Sequence, residues 1–253
     1  MEWSEWSPFY RDIIERLEID SNGDYEATAI LSRLLIDTDP EPLITSLEKR
    51  INGKKVVVFG SGPSLEEHID TVQKDPSFSE AVFIAADGAT TALRENGLRC
   101  DFIVTDLDGN LDDILSSMND GAISIVHSHG DNISAINKYV PKMERVLGST
   151  QVEPLPNVFL WGGFTDGDRA CFLASHYRPR SIVLAGMDFG EIVGRWSKPG
   201  NTENFPATHR KLIKMDIAQS LLRYLWSAKG IAYTELKRER NVQRDKSRLP
   251  KKD

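Results

Sequence analysis

The sequence predicts an α/β protein: a doubly wound, mostly parallel sheet with a small helical region at its N-terminus. Three observations predict it. Six short apolar runs appear in series, "KVVVFG" (55–60), "AVFIAA" (81–86), "FIVT" (102–105), "ISIVH" (123–127), "NVFLWG" (157–162) and "SIVLAG" (181–186). They are near-continuous rather than alternating, as strands covered on both faces are. Helix-compatible segments separate most of them, and strands alternating with helices build parallel sheets through right-handed crossovers. Several runs also end in Gly or Asp, at the strand ends that face the ligand crevice of such a sheet.

Taken in order, residues 1–52 read as helical. "GDYEATAILSRLLID" places Ala27, Ile30, Leu31, Leu34 and Leu35 on one side of a helix. In "DPEPLITSLEKRIN", Asp39 is the expected N-cap, Pro40 the first helical residue, and Leu43, Ile44, Leu47 and Ile51 recur at helical spacing. No acid–base constellation shows in this region, which reads as a helical cap or packing element. Residues 53–236 form the α/β unit. Its helices are expected in "PSLEEHIDTVQ", "ATTALRENG", "NLDDILSSM", "DNISAINKYVPKM" and "DGDRACFLASHY". A long helix follows in "ATHRKLIKMDIAQSLLRYLWSAKG", then a strand-like "IAYTEL". Residues 237–253 are a basic tail, read as a solvated end.

Composition narrows the function. With 40% hydrophobic and 27% charged residues the chain reads as soluble and globular. No apolar run approaches a membrane span, and the acidic, Trp-containing start does not resemble a signal peptide. A net charge of −7 argues against general nucleic-acid binding. Two cysteines, Cys100 and Cys171, in no metal-type spacing fit a reducing compartment, so a cytoplasmic location is expected.

Five motifs carry chemistry. In "VVVFGSGPSLEEHI" a strand ends at Gly60, and Ser61 and Gly62 lead into a helix. Ser64 and Glu67 have the spacing of a capping box. Such a turn lets phosphate approach backbone N–H groups at a helix start, although Leu65 stands where a dinucleotide fingerprint would have its third glycine. Asp87 and Gly88 close the second strand; Asp106 and Asp108, in "TDLDG", close the third. If residues 105–108 stay extended, alternation points both carboxylates the same way. Paired carboxylates suit Mg²⁺, or Mn²⁺, held together with substrate phosphates. "VHSHGDN" sets His127, His129 and Asp131 at alternate positions, fit for metal ligation, proton transfer, substrate hydrogen bonding or loop fixing. "WGGFTDGDRACFLA" brings Asp166 and Asp168 into a helix start with Thr165 as cap. "LAGMDFGEIVGRWSKPG" ends a strand at Asp188 and carries Arg195 and Lys198 on a Gly/Pro loop, expected to be mobile and able to close over phosphates.

The ordered set GSGPSL, ADGAT, TDLDG, HSHGDN, GFTDGDRA and AGMDFG resembles the archaeal 6-hydroxymethyl-7,8-dihydropterin pyrophosphokinase family over about residues 50–200. That family is similar in its catalytic domain to thiamine pyrophosphokinase, a Rossmann-like fold. Ala86–Ala89 and Thr105–Gly109 resemble its ADGG-like and GDFDS-like segments, and Thr165 with Asp166 its downstream Thr-Asp pair. The resemblance implies transfer of a diphosphate from ATP to a pterin hydroxymethyl group, with release of AMP, in methanopterin- or folate-type biosynthesis. On that reading Asp106 and Asp108 hold Mg²⁺, with Asp87 or Asp166 as helpers. Gly60, Ser61, Gly62, Ser64, Asp87, Gly88, Arg195 and Lys198 bind ATP. His129, Asp131, Thr165, Asp166, Asp168 and Asp188 supply the pterin contacts. His127 or His129 is a candidate base, and Lys198 balances charge on the transferred group. ATP and a pterin-like acceptor are the expected partners, with a homodimer as the oligomeric option. Two other readings stay open: a nucleotide-sugar glycosyltransferase using "DLD" as its metal pair, and a nucleotide-binding module without turnover.

Overall fold

A computed structural model describes residues 1–237. Apart from Lys237, the basic tail lies outside the described residues. The chain forms an eight-stranded sheet and a two-stranded ribbon. The first six strands are β1 (Lys55–Phe59), β2 (Val82–Ala86), β3 (Phe102–Thr105), β4 (Ile123–Ser128), β5 (Val146–Thr150) and β6 (Val158–Phe159). β7 (Ser181–Ala185) follows, and after the ribbon strands β8 (Ile192–Val193) and β9 (Phe205–Pro206) comes β10 (Tyr233–Glu235). The sheet order is β10-β7-β1-β2-β3-β4-β5-β6, and every pair in it is parallel.

The apolar runs predict the strands because both faces are covered. In β1, Val56 and Val58 enter the cluster beneath one layer of helices, while Val57 and Phe59 enter the cluster on the other side. β7 repeats the division, Ile182 and Leu184 against Val183 and Ala185, in register with β1 from Lys55↔Ser181 to Phe59↔Ala185. From β1 the chain steps outward in one direction to β6. It then crosses back through α8 (Asp166–His176) to place β7 on the other side of β1. The order therefore reverses between β1 and β7, where an open α/β sheet leaves its crevice.

Two elements depart from the sequence expectation. β5, "VLGST", is not one of the predicted runs, because Gly148, Ser149 and Thr150 interrupt its apolar character although all five residues are buried. The segment 190–206 is not a structureless connector. It folds back as the antiparallel ribbon, pairing Ile192 with Pro206 and Val193 with Phe205.

The N-terminal helices are α1 (Trp3–Leu17), α2 (Ser21–Leu35) and α3 (Glu41–Ile51). They pack into the same clusters as the sheet. Trp6, Tyr10, Ile13 and Leu17 of α1 join the one that holds Val56, while Ala27, Leu31 and Leu35 of α2 join another with Val126 of β4. α3 begins one residue later than predicted, with Pro40 as the cap and Asp39 accepting from the Glu41 amide at 3.1 Å. No described helix is long and apolar enough to cross a membrane.

Candidate active site

A crevice of about 610 Å³ opens at the carboxyl edge of the sheet. The loops after β1, β2, β3, β4, β6 and β7 all reach it. Its acidic floor comes from Asp87, Asp106, Asp108 and Asp166, and Lys198 enters from the ribbon segment.

Asp106 and Asp108 do meet, but not by strand alternation. β3 ends at Thr105, and the chain turns left-handed at Leu107, with φ of 67°. Leu107 buries its side chain beside Val126, and its amide donates to Thr105 Oγ1 at 2.8 Å. The turn closes when the Asp108 amide donates to Asp106 Oδ1 at 3.2 Å. Asp87, also at positive φ (41°), accepts a hydrogen bond from the Thr105 hydroxyl. One ligand oxygen from each of Asp87, Asp106 and Asp108 lies within 4.8 Å of the others. Of the two acids that the sequence offered as helpers of the carboxylate pair, Asp87 and Asp166, Asp87 thus lies with it.

The charges are out of balance. Burial, then the nearby Asp106 and Asp108, push the Asp87 carboxyl well above the usual carboxylate range. Burial acts on Asp106 in the same direction. The ring of His129, with Nε2 3.3 Å from Oδ2, and the charge of Lys198 outweigh it and hold Asp106 below its ordinary value. Lys198 forms an ion pair with Asp108. Burial, then Asp106 and Asp87, raise Asp166 well above the ordinary range. Clustered hard oxygens under mutual repulsion fit a divalent cation of the Mg²⁺ or Mn²⁺ type, which relieves that repulsion.

Several predicted residues take other roles. The Ser64–Glu67 capping box is absent at α4 (Leu65–Lys74). Ser64 instead donates through its amide and its hydroxyl to Asp188 Oδ2, at 3.1 and 2.9 Å. Asp188 therefore braces the β1 turn against the β7 loop. The amides of Gly60 and Gly62 are also engaged, donating to the carbonyls of Ala185 and Gly186 at 2.8 and 2.7 Å. Packing makes Gly62 necessary, since a Cβ there would lie 2.2 Å from Asp188 Oδ2. The Gly60 and Gly62 amides thus tie the β1 turn to the end of β7. Gly88 is a close-approach glycine too, where a Cβ would come within 1.9 Å of the Trp196 carbonyl. Arg195 does not line the crevice: it pairs with Glu66 and stacks 4.3 Å over Trp196.

Asp168 is buried and caps α8, accepting from the Phe164 and Thr165 amides at 2.7 and 2.8 Å and from the Thr165 hydroxyl. It is absent from the crevice lining, whereas Asp166, two residues earlier, lines the crevice with Thr165. Asp168→Ala should therefore destabilise the fold by about 1–2 kcal/mol. Asp166→Asn should leave the urea midpoint near wild type and act on ligand binding. Equal stability effects from the two would contradict this division.

His127, His129 and Asp131 all line the crevice. His129 bonds Asp106, and Asp131 is exposed with its amide donating to His129 Nδ1 at 3.2 Å. Burial, then the charges of Arg169 and His129, hold the His127 imidazole well below its ordinary value and keep it neutral. The unfolded chain takes up a proton near pH ~6.5 that the folded chain refuses. Stability from this group is complete above that pH and is lost as pH falls below it. In urea unfolding at pH 7.5 and 5.5, His127→Gln should lose less stability on acidification than wild type. An unchanged loss would show that His127 is not the group responsible.

Sequence reasoning missed two contributions. Glu18, Asp20 and Asp24 of the N-terminal region line the crevice. Arg210, Lys211 and Lys214 enter it from α9 (His209–Lys229), with Met215 and Ala218 on the same face. The helical spacing of "RKLIKMDIA" was the available signal.

A parallel sheet whose switch-point crevice gathers a cluster of carboxylates and several lysines defines a ligand-binding α/β protein of the Rossmann-like class. The chain belongs to the MptE-like family, described as 6-hydroxymethylpterin diphosphokinase MptE-like, whose model matches residues 35–194. The resemblance drawn from the six motifs holds. The chain is 43% identical over 225 residues to a 6-hydroxymethyl-7,8-dihydropterin pyrophosphokinase of Pyrococcus furiosus, covering 89% of this chain and 94% of that one. It is 39% identical over 233 residues to a protein of the same name from Methanocaldococcus jannaschii, covering 89% and 96%. Among solved structures, the MAf glycosyltransferase of Magnetospirillum magneticum AMB-1 matches 78% of this chain and 38% of its own. Its TM-score is 0.45 and its identity 16%, a likeness that carries no functional argument.

Proposed function

We propose that the protein transfers a diphosphate group from ATP to the hydroxymethyl group of 6-hydroxymethyl-7,8-dihydropterin, giving the pterin diphosphate and AMP. The observation that carries this reading is the pairing of the Asp87–Asp106–Asp108 cluster with lysines in one crevice, in a chain of the MptE-like family. The pterin hydroxyl oxygen attacks the β-phosphorus of ATP. The bond from that phosphorus to the α–β bridging oxygen breaks, and AMP carries the electron pair away. Such a transfer depends on alignment and charge neutralisation more than on covalent help.

Asp87, Asp106 and Asp108 would hold a divalent cation, Mg²⁺ or Mn²⁺. When bound, it supplies positive charge to the phosphate oxygens and fixes their orientation. Lys198, already beside Asp108, balances charge on the transferred group. Of Asp166, Asp168 and Asp188, Asp168 is committed to its helix cap and one oxygen of Asp188 to Ser64, which favours Asp166 as the carboxylate that accepts the 2-amino and ring N–H donors of the pterin. His127 lines the crevice wall as a neutral imidazole that resists protonation, which fits it to hold the hydroxyl by a hydrogen bond, and the hydroxyl proton passes to solvent as the oxygen attacks. The reaction belongs to the cytoplasm and to methanopterin- or folate-type biosynthesis.

The test is incubation with ATP, Mg²⁺ and a panel of acceptors, with AMP release as the readout. The dihydropterin should give AMP and its diphosphate. ADP with a phosphomonoester would mean an ordinary kinase, and transfer from a nucleotide sugar with no pterin product would mean a glycosyltransferase.

A further inference from the structure

The sequence motifs offered two devices for holding phosphates, and the structure commits both elsewhere. The amides of Gly60, Gly62 and Ser64 already donate within the protein, and Arg195 is paired with Glu66. Of the two cations the sequence motifs offered, Lys198 remains, and it is paired with Asp108. A polyphosphate chain with three or four negative charges needs more than that.

α9 supplies more. Arg210, Lys211 and Lys214 share a helical face with Met215 and Ala218, at offsets that turn all five toward the crevice. Arg210 is tethered, donating to the Leu17 carbonyl at 2.7 Å. The two lysines are not. Among the described residues, neither ammonium has a hydrogen bond or an ion pair, although Lys214 lies 5.9 Å over the Phe164 ring. Both are partly buried and one turn apart on the helix.

Two adjacent ammonium groups that are partly desolvated and unpaired repel each other. Burial first, then Lys214 and Lys198, press on the Lys211 charge, and the pull of Asp166 and Asp108 only partly offsets this. The acids of the same crevice repel one another as well. The two sets do not neutralise each other by contact, since the described ion pairs of the crevice acids involve Lys198 and His129 only. A cation among the acids and an anion among the lysines would relieve both.

We infer that Lys211 and Lys214 form the polyphosphate-binding pair of this crevice, gripping the anionic chain of the diphosphate donor from α9. That the chain belongs to a nucleoside triphosphate rests on the proposed transfer; that it is a polyanion does not.

The experiment is calorimetric titration of the full chain with inorganic tripolyphosphate, with and without Mg²⁺. Wild type, Lys211→Met, Lys214→Met, Lys214→Arg and the exposed Lys142→Met are compared. Each methionine variant should weaken binding about tenfold, as loss of one charge-assisted contact does. Lys214→Arg should retain most of the affinity, and Lys142→Met should match wild type. Thermal unfolding identifies any variant that fails to fold, and Lys214→Arg against Lys214→Met then decides between charge and packing. In turnover, KM for ATP should rise in the methionine variants while KM for the pterin stays constant. No binding to wild type, or equal binding to wild type and both methionine variants, overturns the inference. If the lysines prove necessary for tripolyphosphate but no pterin diphosphate forms, the polyphosphate site stands and the proposed reaction fails.

Discussion

Asp106→Asn is expected to lower turnover by on the order of a hundredfold to a thousandfold while leaving the fold close to wild type in stability. The amide keeps the size of the carboxylate but removes the charge that three neighbouring acids arrange for a cation. The stability half of the expectation follows from opposing effects. Removing the charge relieves Asp87, which is buried against Asp106 and Asp108, but gives up the His129 and Lys198 partners that hold the Asp106 carboxyl below its ordinary value. The backbone role of residue 106 survives too, because Asn132 Nδ2 donates to its carbonyl oxygen at 2.8 Å. Divalent-cation titration, turnover and urea unfolding should therefore separate cleanly: weaker cation binding, little activity, little-changed unfolding midpoint. Wild-type cation affinity would remove Asp106 from the ligand set. A large stability loss would make the cluster a structural one.

Asp24→Ala should destabilise the protein by about 2–4 kcal/mol. Asp24 is 2% exposed, yet it accepts from Tyr10 Oη at 2.7 Å, from Gln151 Nε2 at 2.8 Å and from the Gly130 amide at 2.9 Å. Truncation strands three donors at once. Burial, then the hydrogen bond to Asp24, pushes the Tyr10 phenol far above its ordinary range, so the hydroxyl stays protonated and keeps donating. One carboxylate thus joins α1, α2, the segment after β5 and the loop after β4. That loop carries His129, which touches Asp106. A modest loss of cation affinity should accompany the loss of stability. A urea midpoint within experimental error of wild type would show that the network does not bind the N-terminal helices to the crevice.

Those two residues illustrate what the sequence made legible. The run "FIVT" before "DLD" could be read because a strand buried on both faces has nowhere to put a polar residue until it ends. The acids then follow at the edge. Asp24 could not be read that way. Its three partners lie 14, 106 and 127 residues away, and nothing in "SNGDYEATA" distinguishes it from a helix-start acid. The same limit separates Asp166 from Asp168. Both stand in the first turn of an apolar helix, and only the packing of α8 decides which caps the helix and which faces the crevice. β5 was hidden for a different reason. Ser149 and Thr150 are buried polar residues, and Thr150 meets the Thr28 hydroxyl at 2.8 Å, a contact between α2 and the sheet that only folding creates. At Leu107 the sequence named the right carboxylates through the wrong geometry. A left-handed turn at a leucine is rare, and here the burial of its side chain holds it in place.

The central claim is that the hydroxymethyl oxygen attacks the β-phosphorus in this crevice. Turnover of 6-hydroxymethyl-7,8-dihydropterin with ATP radiolabelled at the β-phosphorus tests it directly. The label should leave the nucleotide and appear in the pterin product, with unlabelled AMP formed in equal amount. Label retained in ADP, with an unlabelled pterin monophosphate, would contradict the account.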